Sequence, residues 1–254
     1  MKKNSFKGLL KEAQVALRSI PSPVVAAYVV AVISMNLLAN KLVPLPVDFV
    51  VIDCGIFLSW MAFLTMDIVT RHFGPRAATI LSAFALITNL VTCLIFFGCS
   101  RLPGIWGESY VEGSEAIINS ALDNTFGGAW YVLLGSSIAF FSSSVVNNLL
   151  NYAIGKKVDD KKSGKRNFGT YAVRSYVSTF IGQFVDNLVF ALIVSHVFFD
   201  LSLAQCFFCA FTGAIVELLC EVVFSPIGYR ITLNWEKDNV GKEYKDAYFN
   251  NGDV

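Results

Sequence analysis

Three carboxylates stand in stretches too apolar for a solvated surface. Asp186 lies in STFIGQFVDNLVFALI (178–193), and Glu217 and Glu221 lie in VELLCEVVFSPIGY (216–229). A spacing of four puts Glu217 and Glu221 on one face of a helix. Ser175, Thr179, Gly182, Gln183 and Asp186 form one stripe, and Asn187 follows directly. Further amides recur in other apolar runs, at Asn36, Asn89, Asn147, Asn148 and Asn151. Carboxylates accept N–H and O–H hydrogens, and amides both give and accept them. Such a set suits a flat, polar cargo rich in N–H groups, stacked on aromatic walls drawn from 22 Phe and from Trp60. It equally suits a cation such as Na⁺ or H⁺. No Lys or Arg is expected at the depth of the three acids, which argues for use rather than scaffolding. Single Asn and Ser residues are also explained by hydrogen bonds that merely hold helices together.

A second charge group sits in FLTMDIVTRHFGPRAA (63–78), where Asp67 and Arg71 are four apart. Gly74 and Pro75 supply a turn directly after them. Two readings stay open for this pair. One is a solvated helix end that anchors the segment, where such an ion pair is worth a few tenths of a kcal/mol. The other is a gate or part of a site. The motifs HExxH, GxSxG and GxxxxGK[ST] are absent, so no enzyme, resident cofactor or metal is expected and the chain does not itself hydrolyse ATP. Cys206 and Cys209 form a CxxC without a second ligand pair, and read as small residues in an apolar helix.

The elements that must position these groups follow from composition. The 254 residues are 55% hydrophobic and 15% charged, with a mean hydropathy of +0.57. Soluble chains carry roughly 25% charged residues, so an all-α integral membrane protein is expected. A hydrocarbon core of about 30 Å takes about 20 apolar residues as a helix. Six stretches qualify: 24–42, 49–69, 77–97, 130–154, 171–198 and 203–229. All Lys and Arg except Lys41 and Arg101 fall on one side of this arrangement. By the positive-inside rule that side is the cytoplasm, and it holds both termini. The spans divide three plus three, the pattern of an inverted repeat.

Three units result. Residues 1–22 contain an amphipathic helix with Phe6, Leu9, Leu10, Ala13, Leu17 and Ile20 at helical spacing, read as lying on the inner membrane surface. Residues 23–232 form the membrane domain. It has an acidic external loop at 100–128 and a basic cytoplasmic loop at 156–170. Residues 233–254 form a polar cytoplasmic tail, expected to be partly disordered. No nucleic-acid partner is indicated. The partners expected are the bilayer, a small-molecule cargo and, for a chain of this type, other copies of itself.

Five segments in order resemble the vitamin uptake transporter family. They are SMNLLANKLVPLPV (34–47), FLTMDIVTRHFGPRAA (63–78), SSSVVNNLLNYAIG (142–155), STFIGQFVDNLVFALI (178–193) and VELLCEVVFSPIGY (216–229). The resemblance implies a transporter in a bacterial inner membrane that imports queuosine precursors: 7-cyano-7-deazaguanine, 7-aminomethyl-7-deazaguanine or queuine. It carries over Asp67, Arg71, Gln183 and Asp186 as motif positions. Gln183 departs from the Asn common in the family, and Glu217 and Glu221 stand near where the family places a Lys. An extra acid suits an amine-bearing cargo. With the residues read above, the candidate cargo site is Asn36, Asn147, Gln183, Asp186, Asn187, Glu217 and Glu221, with Asp67 and Arg71 as gate or ion pair. The other arrangement left open is a substrate-binding membrane subunit for another vitamin-like molecule, served by a separate ATPase.

Overall fold

The computed structural model describes residues 6–46, 50–102, 124, 130–158 and 168–249. The acids Glu108, Glu112, Glu115 and Asp123 of the expected external loop lie outside the described residues. So do the basic residues Lys161, Lys162, Lys165 and Arg166. The described elements run α1 (Phe6–Ser19), α2 (Ser22–Leu38), β1 (Leu42–Pro44), β2 (Val51–Asp53), α3 (Ile56–Phe73), α4 (Pro75–Cys99), α5 (Trp130–Val158), α6 (Phe168–Phe190), α7 (Leu203–Lys237) and α8 (Lys242–Tyr244). Helix α6 continues through a π-helical turn, Ala191–Ser195, and a last turn, His196–Phe198.

Among the described residues, four helices are long and apolar enough to cross a membrane: α4, α5, α6 with its continuation, and α7. Helices α1 and α2, bent by 105° at Pro21, form a fifth candidate as a broken pair. The protein is thus an all-α, multi-pass membrane protein. Its surface is inverted relative to a soluble fold. Ile87, Leu94, Leu219 and Val223 are more than half exposed, while Asp67, Asn147, Gln183 and Glu221 are fully buried. A lipid-facing surface needs no polar groups, and the interior gathers those the chain carries.

The expected spans 24–42 and 49–69 are both shorter in the structure. Leu42–Pro44 pairs antiparallel with Val51–Asp53, Leu42 opposite Asp53 and Pro44 opposite Val51. Pro44 and Pro46 explain the break, since neither continues a helix interior. Helix α3, with 18 residues, is about 27 Å long at 1.5 Å per residue. Proline acts differently in α7. Pro226 cannot donate to the Val222 carbonyl, but Ser225 Oγ does so at 3.2 Å. The helix therefore continues through Pro226 with that carbonyl satisfied.

The C-terminal segment also corrects the sequence reading. Its described residues, through Phe249, are folded, where a partly disordered tail was expected. Helix α7 runs on to Lys237, the chain reverses at Gly241 (φ +63°), and α8 packs against α1. Tyr244 is 1% exposed and donates to Glu12 Oε1 at 3.3 Å, and Arg18 pairs with Glu243. His72, which follows Arg71, is buried with Nε2 2.9 Å from the Val240 carbonyl and its ring edge-on to Trp235. Helix α1 is amphipathic as expected, with Phe6, Leu9 and Leu10 exposed. Its opposite side (Glu12, Val15, Ala16) is buried against the protein. Tyr244→Ala should therefore cost about 3 kcal/mol, the range for emptying an aromatic site. Glu243→Ala, losing an exposed ion pair, should leave stability near wild type. Thermal unfolding of both variants in one detergent tests the difference.

Candidate functional site

Two facing ladders carry the buried polar groups. On α6, Ser175, Thr179, Gln183 and Asn187 recur every four residues and share a face. On α7, Glu217, Glu221 and Ser225 do the same. The helices come close because residue 213 lacks a side chain. A Cβ there would stand 2.8 Å from Asn187 Nδ2. Side chains from α3 and α5 complete the two layers that the ladders define.

Glu217 centres the first layer and is 1% exposed. Asn187 Nδ2 donates to its Oε2 at 2.9 Å, and the Ser59 hydroxyl donates to Oε1. The Gln183 amide nitrogen faces the same carboxylate, 3.1 Å from Oε1 and 2.8 Å from Oε2. That amide orientation is the one that gives both ends of Gln183 a partner. Asp186 accepts from Ser143 Oγ at 2.8 Å and remains half-buried. Asn36 accepts from Ser136.

This layer opens into a cavity of about 340 Å³, lined by Asp53, Ser59, Ser136, Asp186, Asn187 and Glu217 on its polar side and by Met35, Ile56 and Phe190 on its apolar side. An adjoining cavity of about 390 Å³ shares Asp53, Ile56, Asn187 and Phe190 and reaches Ser195, Leu201 and Cys209. The π-helical turn of α6 lies along it, a feature frequent at functional sites. No described residue lining either cavity is basic. Asp53 belongs to the hairpin, outside the helices that cross. Desolvation pushes its carboxyl up to about 6, although the Gly55 N–H, 2.7 Å away, holds it down.

Asp67 centres the second layer, nearer the basic turn at residues 71–76. It accepts from Asn147 Nδ2 at 2.9 Å, from Thr179 Oγ1 at 3.2 Å and from the Ser175 hydroxyl. Ser175 Oγ also lies 2.5 Å from Glu221 Oε1. The Arg71 guanidinium sits over Tyr171, 5.0 Å from the ring centroid, and 5.9 Å from that of Tyr229. Arg174 donates to Asn151 Oδ1 at 2.9 Å, and Asn151 donates to Ser178.

The candidate residues thus divide. Asp186, Asn187 and Glu217 line a cavity. Asn36 and Gln183 sit behind them, holding Ser136 and Glu217. Asn147, Glu221 and Asp67 line neither cavity and belong to the deeper layer. Asp67 is fully buried, so its reading as a solvated helix end is replaced. Arg174, adjacent to Ser175, supplies a base at the depth of Glu221 where none was expected. Trp60 stacks on Phe224 at 4.1 Å and lines neither cavity. Asp53, Ser59, Ser136 and Ser143 were not singled out from the sequence. An acid inside a stretch read as a span was the available signal for Asp53, and isolated serines give none. Cys206 and Cys209 are free thiols, Cys206 being buried with Sγ 3.5 Å from the Ala191 carbonyl. No group of metal ligands occurs among the described residues.

Comparison with known proteins returns one family. The family model described as "Putative vitamin uptake transporter" matches residues 53–231, more than half of the chain. The matched span contains every polar residue of both layers except Asn36. No curated protein and no solved structure matches.

Glu217 depends on donors from three residues. Gln183→Leu removes one of them and should destabilise the protein by about 1–3 kcal/mol, the cost of leaving a buried acceptor short of a partner. Unfolding in detergent, compared with the exposed control Ile181→Leu, measures it.

Proposed function

The chain belongs to the vitamin uptake transporter family, and we propose that it imports a queuosine precursor across a bacterial inner membrane. The observation that carries this reading is that the charged residues lining the cavity are all acids: Asp53, Asp186 and Glu217, with no base among the described lining residues. A 7-deazaguanine offers adjacent N–H donors on its aminopyrimidinone edge, and a carboxylate accepts two such donors at once. A second carboxylate then meets the amine of 7-aminomethyl-7-deazaguanine or queuine. The cyano compound has no such group and should bind more weakly. Ile56, Met35 and Phe190 offer apolar surface for the ring faces.

Transport needs access from each side in turn. In our reading the chain crosses six times with both termini in the cytoplasm, with residues 1–22, 23–232 and 233–254 as surface helix, transport domain and cytoplasmic segment. The cavity then faces outward. The Asp67 layer, with Arg71 and the aromatic group around His72, closes the cytoplasmic end. Three helices from each half rock about the site, as in inverted-repeat carriers.

Purified protein reconstituted alone in liposomes should take up labelled 7-aminomethyl-7-deazaguanine, and Asp186→Asn should reduce uptake at least tenfold while retaining the fold. Wild-type uptake by that variant would remove Asp186 from the site. Binding without uptake, with uptake restored by an added ATPase module, would instead identify a substrate-binding subunit.

A further inference from the structure

The deeper polar layer lines neither cavity, so cargo binding leaves it without a use. Its hydrogen count does not close. Ser175 Oγ is bonded to Asp67 Oδ2 and lies 2.5 Å from Glu221 Oε1. A serine hydroxyl has one hydrogen. It serves one carboxylate and leaves the other oxygen facing a lone pair. A separate deficit lies alongside. Among the described residues, Glu221 Oε2 and Asn147 Oδ1 are buried acceptors without a donor, and both residues are fully buried. Asn147 is tied to the same Asp67 through its Nδ2.

One added hydrogen closes the bridge. Placed on Glu221 Oε1, it donates to Ser175 Oγ, whose own hydrogen goes to Asp67, and the pair then carries one negative charge instead of two. We propose that Asp67, Ser175 and Glu221 form a proton-carrying centre that couples proton influx to movement of the cargo. The coupling rests on the transport reading above. The hydrogen can move without any other reactant. As the Glu221 proton passes to Ser175 Oγ, the Ser175 proton passes to Asp67, leaving a carboxylate on α7 and a carboxylic acid on α3. Loss of that proton leaves two carboxylates on either side of one hydroxyl, and their repulsion drives α3 and α7 apart.

Other polar groups face this centre from the neighbouring helices. Arg71 and its ring partners Tyr171 and Tyr229 approach from α3, α6 and α7. Arg174 and Tyr176 flank Ser175 on α6, and Tyr176 is tied to Ser225 at 2.8 Å. Glu217 lies one turn from Glu221. Helix α5 contributes the amides Asn147 and Asn151 at this level. Two arginines beside a single negative charge favour loss of the bridge proton, and so limit how strongly it is held.

Two measurements test the proposal. Infrared difference spectra of the purified full-length protein, without cargo, should show a protonated-carboxyl stretch that is lost in Glu221→Gln. In Ser175→Ala, which removes the bridging hydroxyl and no charge, the stretch should shift. A band unchanged in both variants overturns the shared proton. In liposomes with an alkaline interior, the wild type should accumulate 7-aminomethyl-7-deazaguanine up to roughly tenfold per pH unit for one proton per cargo. Glu221→Gln should only equilibrate it. A wild type that carries cargo but ignores the pH gradient, or follows a Na⁺ gradient instead, overturns the coupling and leaves the transport reading standing. A wild type that carries no cargo overturns the transport reading and the coupling with it.

Discussion

A carboxylate inside a bilayer has no water to solvate it, so its donors must come from other helices. That constraint organises this molecule. Glu217 takes hydrogens from α3 and α6, through Ser59, Asn187 and Gln183. Asp67 takes them from α5 and α6, through Asn147, Ser175 and Thr179. Each acid thereby fixes the register of at least three helices. Few forces within the membrane do this otherwise, because lipid tails are as apolar as the side chains that face them.

The same requirement separates two tasks that lie one helical turn apart. Glu217 and Glu221 share a face of α7, yet one borders a cavity and the other is enclosed. An acid beside open space can exchange a protein donor for one on a cargo. An enclosed acid has only its neighbours, and a hydrogen is the smallest ligand that relieves it. The two layers share helices α6 and α7, which carry residues of both. Gly213 permits this closeness, and the capped Pro226 turn lets α7 remain one continuous element.

Beyond the core, α1 and the segment after α7 fold onto the same side of the bundle. Glu12, Arg18, Glu243 and Tyr244 clasp α1 to the segment after α7. His72, Phe73 and Trp235 pack beneath that clasp, next to the turn at Gly74. The basic end of α3 is thus held from below by tertiary contacts rather than by solvent.

The sequence by itself determined the class of fold, the approximate helices and the residues worth watching. Long apolar runs have few ways to satisfy their backbone in lipid, and an acid in such a run is too costly to be incidental. The family was legible as well, because its segments occur in order. Tertiary structure decided what the spacing could not. Helical periodicity gives the face of a residue but not what stands opposite. It could not show that residues 42–53 form a hairpin placing Asp53 in the cavity, nor that Ser59 and Ser136 line it. It could not bring Arg174 to the level of Glu221, or fold the polar tail back onto α1. It put Glu217 and Glu221 together on one face, and only the packing of α3, α5 and α6 against that face gave them different surroundings.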